Sequence, residues 1–165
     1  QSQPSVADES VLPNENFMDY LKRITEAKLD ILNATYSDIY VASDTIVVRD
    51  ERVYLKPLNF EDAFNTLKEL NGTTHFVYSS LGILKNGEVY FDFDKTLIEF
   101  KTWKEEEIVN YIKKYTPYDK AGSYGIQDKD SPVKEIFGSY TNVLGFPIRT
   151  FFQYISEWVE FLNSK

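Results

Sequence analysis

Apolar residues recur at Phe17, Leu21, Ile24 and Leu32, with Ala27 and Ile31 alongside. That spacing predicts a helix over 17–32, with Asn16 at its cap. Ile39-Tyr40-Val41-Ala42 reads as a buried strand that Asp44-Thr45 interrupts and Ile46-Val47-Val48 resumes. Asp50-Glu51 forms a turn into Val53-Tyr54-Leu55. Asn59-Phe60-Glu61-Asp62 has capping-box character and opens a second helix, with Ala63, Phe64, Leu67 and Leu70 on one face and Gly72 at its end. Residues 75–84 are β-rich, and Asn86-Gly87 is a hairpin turn into a strand at 88–93, followed by another at 96–100. Thr102-Trp103-Lys104-Glu105 is a second capping box for a helix that buries Ile108 and Ile112 and stops at Pro117. Ser131-Pro132 predicts a short helix ending near Gly138. Pro147 opens a last helix, with a stripe of Phe151, Ile155, Trp158 and Leu162. Strands and helices mix along the whole chain without linker, repeat or low-complexity tract. One α/β domain over residues 1–165 is the economical reading.

Composition narrows the class. The chain has 165 residues, 42% of them hydrophobic, enough for one sizeable core and short for two. Twelve Tyr and twelve Phe supply bulk for that core. Eighteen Lys and Arg against 26 Asp and Glu leave a formal charge of -8, which repels phosphate polymers and argues against a nucleic-acid partner. A small anionic ligand remains compatible where lysines converge or a metal bridges the charges. There are no cysteines, hence no disulfide and no thiolate metal site, which fits a reducing, cytoplasmic setting. No apolar run reaches membrane-spanning length, so a membrane is not expected as partner. The first residue is Gln1 rather than Met, so residues upstream are expected and no leader sequence can be read.

Several positions carry candidate chemistry, each with a plainer alternative. Asp44 stands where an apolar strand stops, the place where α/β folds put ligand-contacting side chains. A carboxylate there can bind a divalent metal or accept a proton from water; it can also be an ordinary turn aspartate. Lys56 precedes Pro57, which holds it extended, so its ammonium can reach a phosphate or simply be solvated. Lys28 flanks the apolar face of the first helix, where snorkelling is the plain reading. Glu9 follows Asp8, and paired acids can hold Mg²⁺, although loop acids are usually solvated. His75, the only histidine, suits a structural place in a strand better than a zinc site. Asp119-Lys120-Ala121-Gly122 follows a helix stop, with Gly125 close behind, so the backbone can approach a ligand. Gln127 offers one acceptor and two donor protons, which suits a pyrimidine imide edge. A glycine-rich connector with a surface lysine and glutamine is the alternative.

Asp92-Phe93-Asp94-Lys95-Thr96-Leu97 matches the aspartate-nucleophile motif of haloacid-dehalogenase-like phosphatases. That chemistry needs a buried parallel strand leading into the first aspartate. Here the segment follows a hairpin turn, and Val89, Phe91 and Phe93 alternate with Tyr90, Asp92 and Asp94, so the acids fall on the polar face of a half-buried strand. A phosphatase using Asp92 and Asp94 is therefore the weaker alternative.

The run 115–127, Tyr-Thr-Pro-Tyr-Asp-Lys-Ala-Gly-Ser-Tyr-Gly-Ile-Gln, taken with Ala42-Ser43-Asp44-Thr45-Ile46-Val47 and Leu55-Lys56-Pro57, resembles the Maf family of nucleoside triphosphate pyrophosphatases. Asp8-Glu9-Ser10, Leu70-Asn71-Gly72 and the run 138–145, Gly-Ser-Tyr-Thr-Asn-Val-Leu-Gly, extend the likeness over nearly the whole chain. The resemblance implies a mixed β-sheet flanked by helices, with two lobes around a cleft. It implies hydrolysis of a nucleoside triphosphate to monophosphate and pyrophosphate with Mg²⁺ or Mn²⁺, and the Asp-Lys-Ala-Gly and Ile-Gln forms are similar to the branch acting on dTTP and UTP. It places Asp44 at the proton-acceptor position and Thr45 and Gln127 at positions of base choice. Glu9, Lys28, Lys56 and Lys120 fall among the polar cleft residues, with Glu9 and Asp44 the candidate metal ligands. A homodimer stays open, and a non-catalytic nucleotide-binding regulator of cell division is the rival reading. The family usually has a glutamate where this chain has Thr116, so an altered metal or water contact is expected there. The family also opens with a strand and a basic phosphate-gripping loop to which nothing here corresponds. A longer natural chain is therefore expected, with residues 1–165 alone poorly soluble or nearly inactive.

Overall fold

The computed structural model describes residues 9–30 and 39–154. Helix α1 spans Phe17–Asp30. Asn16 caps it as expected: its Oδ1 accepts the N–H groups of Met18 at 3.0 Å and Asp19 at 2.9 Å. Strands β1 (Ile39–Ala42) and β2 (Thr45–Arg49) both pair with β4 (Thr74–Lys85), and the register is the same on either side of their break. Strand β3 (Arg52–Tyr54) extends the sheet beyond β2, and helix α2 (Phe60–Leu70) follows, capped by Asn59. Asn86-Gly87 joins β4 to β5 (Glu88–Phe100), which carries β6 (Val133–Phe137) on its other edge. The sheet thus runs β3-β2-β4-β5-β6, with β1 also on β4, and every pairing among the described residues is antiparallel. Helices α3 (Glu105–Tyr115), α4 (Tyr140–Val143) and α5 (Ile148–Gln153) complete the fold.

Side-chain alternation sorts the core into two layers. Ile46 and Val48 of β2 meet Tyr20, Leu21 and Ile24 of α1 on one face of the sheet. Val47, Val77 and Ile98 face the other way, onto Leu67 and Leu70 of α2 and Ile108 and Ile112 of α3. The α1 layer lies very close to the sheet because Gly82 stands beneath it. A Cβ there would meet Thr25 Cγ2 at 2.7 Å and Leu29 Cδ1 at 3.0 Å. Among the described residues, no helix is long and apolar enough to cross a membrane.

Four expectations are corrected. The short helix over 131–138 is instead strand β6: its backbone pairs along β5, and Val133 and Ile136 pack on the α2–α3 core, so tertiary pairing overrides the local Ser-Pro signal. The strands at 88–93 and 96–100 are one strand. The helix expected to be capped at 102–105 begins at Glu105, with the Lys104 N–H donating to Glu107 Oε2 at 2.8 Å. Val89 and Phe93, expected inside, are 44% and 36% exposed. Arg149 of α5 pairs with Asp94 at 2.8 Å, and the Tyr154 hydroxyl donates to Asp92 at 3.1 Å. Asp92 and Asp94 sit on an antiparallel strand and are both engaged, which removes the phosphatase alternative. The end of the first helical pattern, Ile31 and Leu32, and the stripe residues Ile155, Trp158 and Leu162 lie outside the described residues, as does Asp8.

Candidate active site

The break between β1 and β2 builds the reactive corner. At Ser43-Asp44 the ladder to β4 opens without changing register. The Asp44 N–H donates to Ser80 Oγ at 2.9 Å, while the Ser80 N–H still reaches the Asp44 carbonyl at 2.9 Å. The Asp44 carboxylate then turns back on its own strand, and Oδ1 accepts the Thr45 N–H at 2.8 Å. Asp44 has the same side-chain parity as Ile46 and Val48, the α1 side, and there Lys28 of α1 meets it: Lys28 Nζ lies 2.7 Å from Oδ2. Close α1 packing over Gly82 makes that reach possible. Lys28 also stands 3.8 Å from Glu9, and Glu9 holds Lys56 Nζ at 2.7 Å. Asp44, Lys28, Glu9 and Lys56 thus form one chain of alternating charge.

Thr45 takes its place from a buried polar network. Its hydroxyl lies 2.7 Å from Ser79 Oγ, and Ser79 Oγ donates at 2.6 Å to the Asn142 carbonyl. Since a carbonyl only accepts, Ser79 spends its proton there and Thr45 donates to Ser79, leaving a lone pair on Thr45 for a ligand. Asn142 is fully buried and cannot turn over. Its Oδ1 accepts the Ser79 N–H at 3.1 Å, and its Nδ2 donates to the Val77 carbonyl and to Thr96 Oγ1, both at 3.0 Å. Ser43 ties the 143–145 segment to the same corner by donating to the Gly145 carbonyl at 2.9 Å.

The facing wall comes from the segment after α3. Pro117 is buried, and the chain then makes one 3-10 turn, Ala121–Ser123, in which Gly122 takes a φ of 69° that its lack of a side chain permits. Lys120 pairs with its neighbour Asp119 at 2.8 Å, which holds the Asp119 carboxyl below its usual range. Gln127 is exposed on the turn that follows, closed by the Asp128 N–H to the Gly125 carbonyl at 3.3 Å. Tyr124 forms the floor, and His75 lies beneath it with Nε2 at 2.9 Å from the Tyr124 hydroxyl. Burial pushes the His75 imidazole down to about 3, so this histidine is neutral and structural, as expected.

A cleft of ≈ 500 Å³ separates the two walls, and Asp44, Thr45, Lys56, Lys120 and Gln127 all line it. Lys28 and Glu9 stand behind, joined through their ion pairs. Thr116 is exposed at the left-handed end of α3 and does not line the cleft. Sequence reasoning missed Ser79, Asn142, Tyr111 and Asp128. Ser79 and Asn142 are joined by long-range pairing that no local pattern announces, although Asn142 lies within the 138–145 run. Asp128 follows Gln127 directly and also lines the cleft. Among the described residues, no three acidic or histidine side chains form a metal-binding group.

The profile of the Maf-like protein family matches residues 1–158. A dTTP/UTP pyrophosphatase of Leptospira interrogans is 48% identical over 156 residues, covering 94% of this chain and 82% of that protein. One from Leptospira borgpetersenii is 46% identical over 161 residues, covering 98% and 86%. One from Thermosipho melanesiensis is 40% identical over 123 residues, covering 74% and 68%. With the family profile matching almost end to end and relatives this similar along most of their own length, the chain belongs to the Maf family.

Proposed function

We propose that this protein hydrolyses nucleoside triphosphates, dTTP and UTP foremost, to the monophosphate and pyrophosphate. The carrying observation is the convergence on one nucleotide-sized cleft of Asp44, with its Lys28–Glu9–Lys56 charge chain, and of Gln127 from the opposite wall. The names of the relatives support the same substrates.

Water attacks the α-phosphorus, the bond to the bridging oxygen of the β-phosphate breaks, and pyrophosphate leaves. Asp44 takes the proton from that water. Lys28 on Oδ2 and the Thr45 N–H on Oδ1 hold the carboxylate in one orientation, so the base is positioned before substrate arrives. Lys56 and Lys120 supply positive charge to the phosphate oxygens. Among the described residues no three acidic or histidine side chains form a metal-binding group, so a Mg²⁺ or Mn²⁺ ion would be carried largely by phosphates and water, with Asp44 and Glu9 the carboxylates that would hold it on the protein side. Such an ion, when bound, supplies Lewis acidity at the phosphate oxygens. Gln127 reads the base edge, and the Thr45 lone pair accepts an N–H from the ligand. One domain acting in the cytoplasm belongs to the same proposal.

A panel of nucleoside triphosphates with Mg²⁺, with products separated, tests the reading. Monophosphate and pyrophosphate from dTTP and UTP are expected. Tight nucleotide binding without turnover would favour the regulator instead.

A further inference from the structure

The turn that carries Gln127 is held from below by one residue that the mechanism does not use. Tyr111 lies on the inner face of α3, buried, with its ring against Trp103 and Tyr115. Its hydroxyl leaves the core and meets the turn at both ends. It accepts the Gly125 N–H at 2.9 Å and donates to the Asp128 carboxylate. The polarity follows from the backbone: the Gly125 N–H only donates and takes a lone pair of the hydroxyl, which leaves the hydroxyl proton for Asp128 Oδ2. Burial and the nearby Asp128 push the Tyr111 hydroxyl well above its ordinary range, so it keeps its proton at any working pH. The turn's own closure is long, at 3.3 Å from the Asp128 N–H to the Gly125 carbonyl. Ile126 and Gln127 therefore project from a two-residue tip whose two ends the Tyr111 hydroxyl joins, while the Ser131 N–H holds the Asp128 carbonyl at 3.0 Å from the far side.

We propose that Tyr111, with Asp128 as its partner, is a positioning residue for base recognition: its hydroxyl clamps the Gly125–Asp128 turn so that Gln127 meets the base in one geometry. This rests on the reading of Gln127 as the base contact. An amide on a loose turn pairs with many edges, whereas a held amide discriminates. The clamp touches neither Asp44 nor Lys56, so it acts on selection rather than on the chemical step.

Tyr111→Phe keeps the buried ring and deletes the clamp. Its kcat and KM are measured for dTTP, UTP, ATP and GTP, beside Gln127→Ala and Asp128→Asn, with thermal midpoints as a fold control. The preference for UTP over purine triphosphates is expected to fall by about tenfold, mainly through KM. Asp128→Asn, which still accepts the hydroxyl proton, is expected to retain most of the preference, as a merely charged contact would not. If Tyr111→Phe does not fold, Asp128→Ala carries the same expectation as the clamp's deletion. An unchanged preference in a folded clamp-deleted variant, while Gln127→Ala loses it, overturns the clamp and leaves the base contact standing. An unchanged preference in Gln127→Ala overturns the base reading and the clamp with it.

Discussion

Asp44 is held from two sides, and those contacts set what its replacement does. Asp44→Asn keeps an oxygen for the Thr45 N–H and similar bulk, so the fold is expected to persist and nucleotide affinity largely to survive. The proton acceptor is lost, and kcat is expected to fall by roughly 10²- to 10⁴-fold. Steady-state kinetics with calorimetric nucleotide binding checks this, and unchanged turnover removes Asp44 from the base role. His75 gives a residue-scale prediction about stability. Its folded value of about 3 lies below the ordinary 6.5, so between these values the unfolded chain takes up a proton that the folded chain refuses. Stability therefore rises with pH across that window and is fully present above it, with a slope of at most about 1.4 kcal/mol per pH unit. Denaturation midpoints measured between about pH 4 and 7 should show a shallower slope for His75→Gln than for the parent. Equal slopes would show that His75 is protonated in the fold. The residues of the charge chain were legible as types at particular spacings. Their pairing was not, because Lys28 meets Asp44 only once α1 lies on the sheet.

Among the elements, α1 and the β1–β2 break act as a unit. Gly82→Ala puts a methyl against Thr25 and Leu29, and an overpacked contact of this kind costs roughly 1–3 kcal/mol. α1 moves outward, Lys28 loses its reach to Asp44, and turnover falls more than nucleotide affinity does. Thermal melting beside kinetics checks the coupling, and a destabilised variant with the parent's kcat would break it. Elements with local signals were readable: Asn16 and Asn59 cap helices, and Asn86-Gly87 turns a hairpin, because each acts within a few residues. β6 departs from its local signal for the opposite reason. Its Ser-Pro opening is a local helix signal, while the edge of β5 that captures it lies 33 to 40 residues earlier in the chain, from Phe100↔Val133 to Leu97↔Phe137. A still longer separation, 63 residues, hides the Ser79–Asn142 network that fixes Thr45.

At the scale of the whole molecule, an acidic chain with a charge of -8 must bind a polyanion. The lysines of the cleft are largely neutralised by Asp44, Glu9 and Asp119. Long-range attraction is thus weak, and binding depends on local geometry and on an ion that screens the phosphates. Removing divalent cations with a chelator should abolish turnover, with recovery on adding Mg²⁺; full activity in chelator would assign charge neutralisation to the lysines alone. In the proposed mechanism, water that Asp44 deprotonates attacks the α-phosphorus. Hydrolysis of UTP in ¹⁸O-labelled water, with mass analysis of both products, locates the attacked phosphorus. One labelled oxygen in UMP and none in pyrophosphate is expected. Label in pyrophosphate, or inorganic phosphate as the first product, would contradict it.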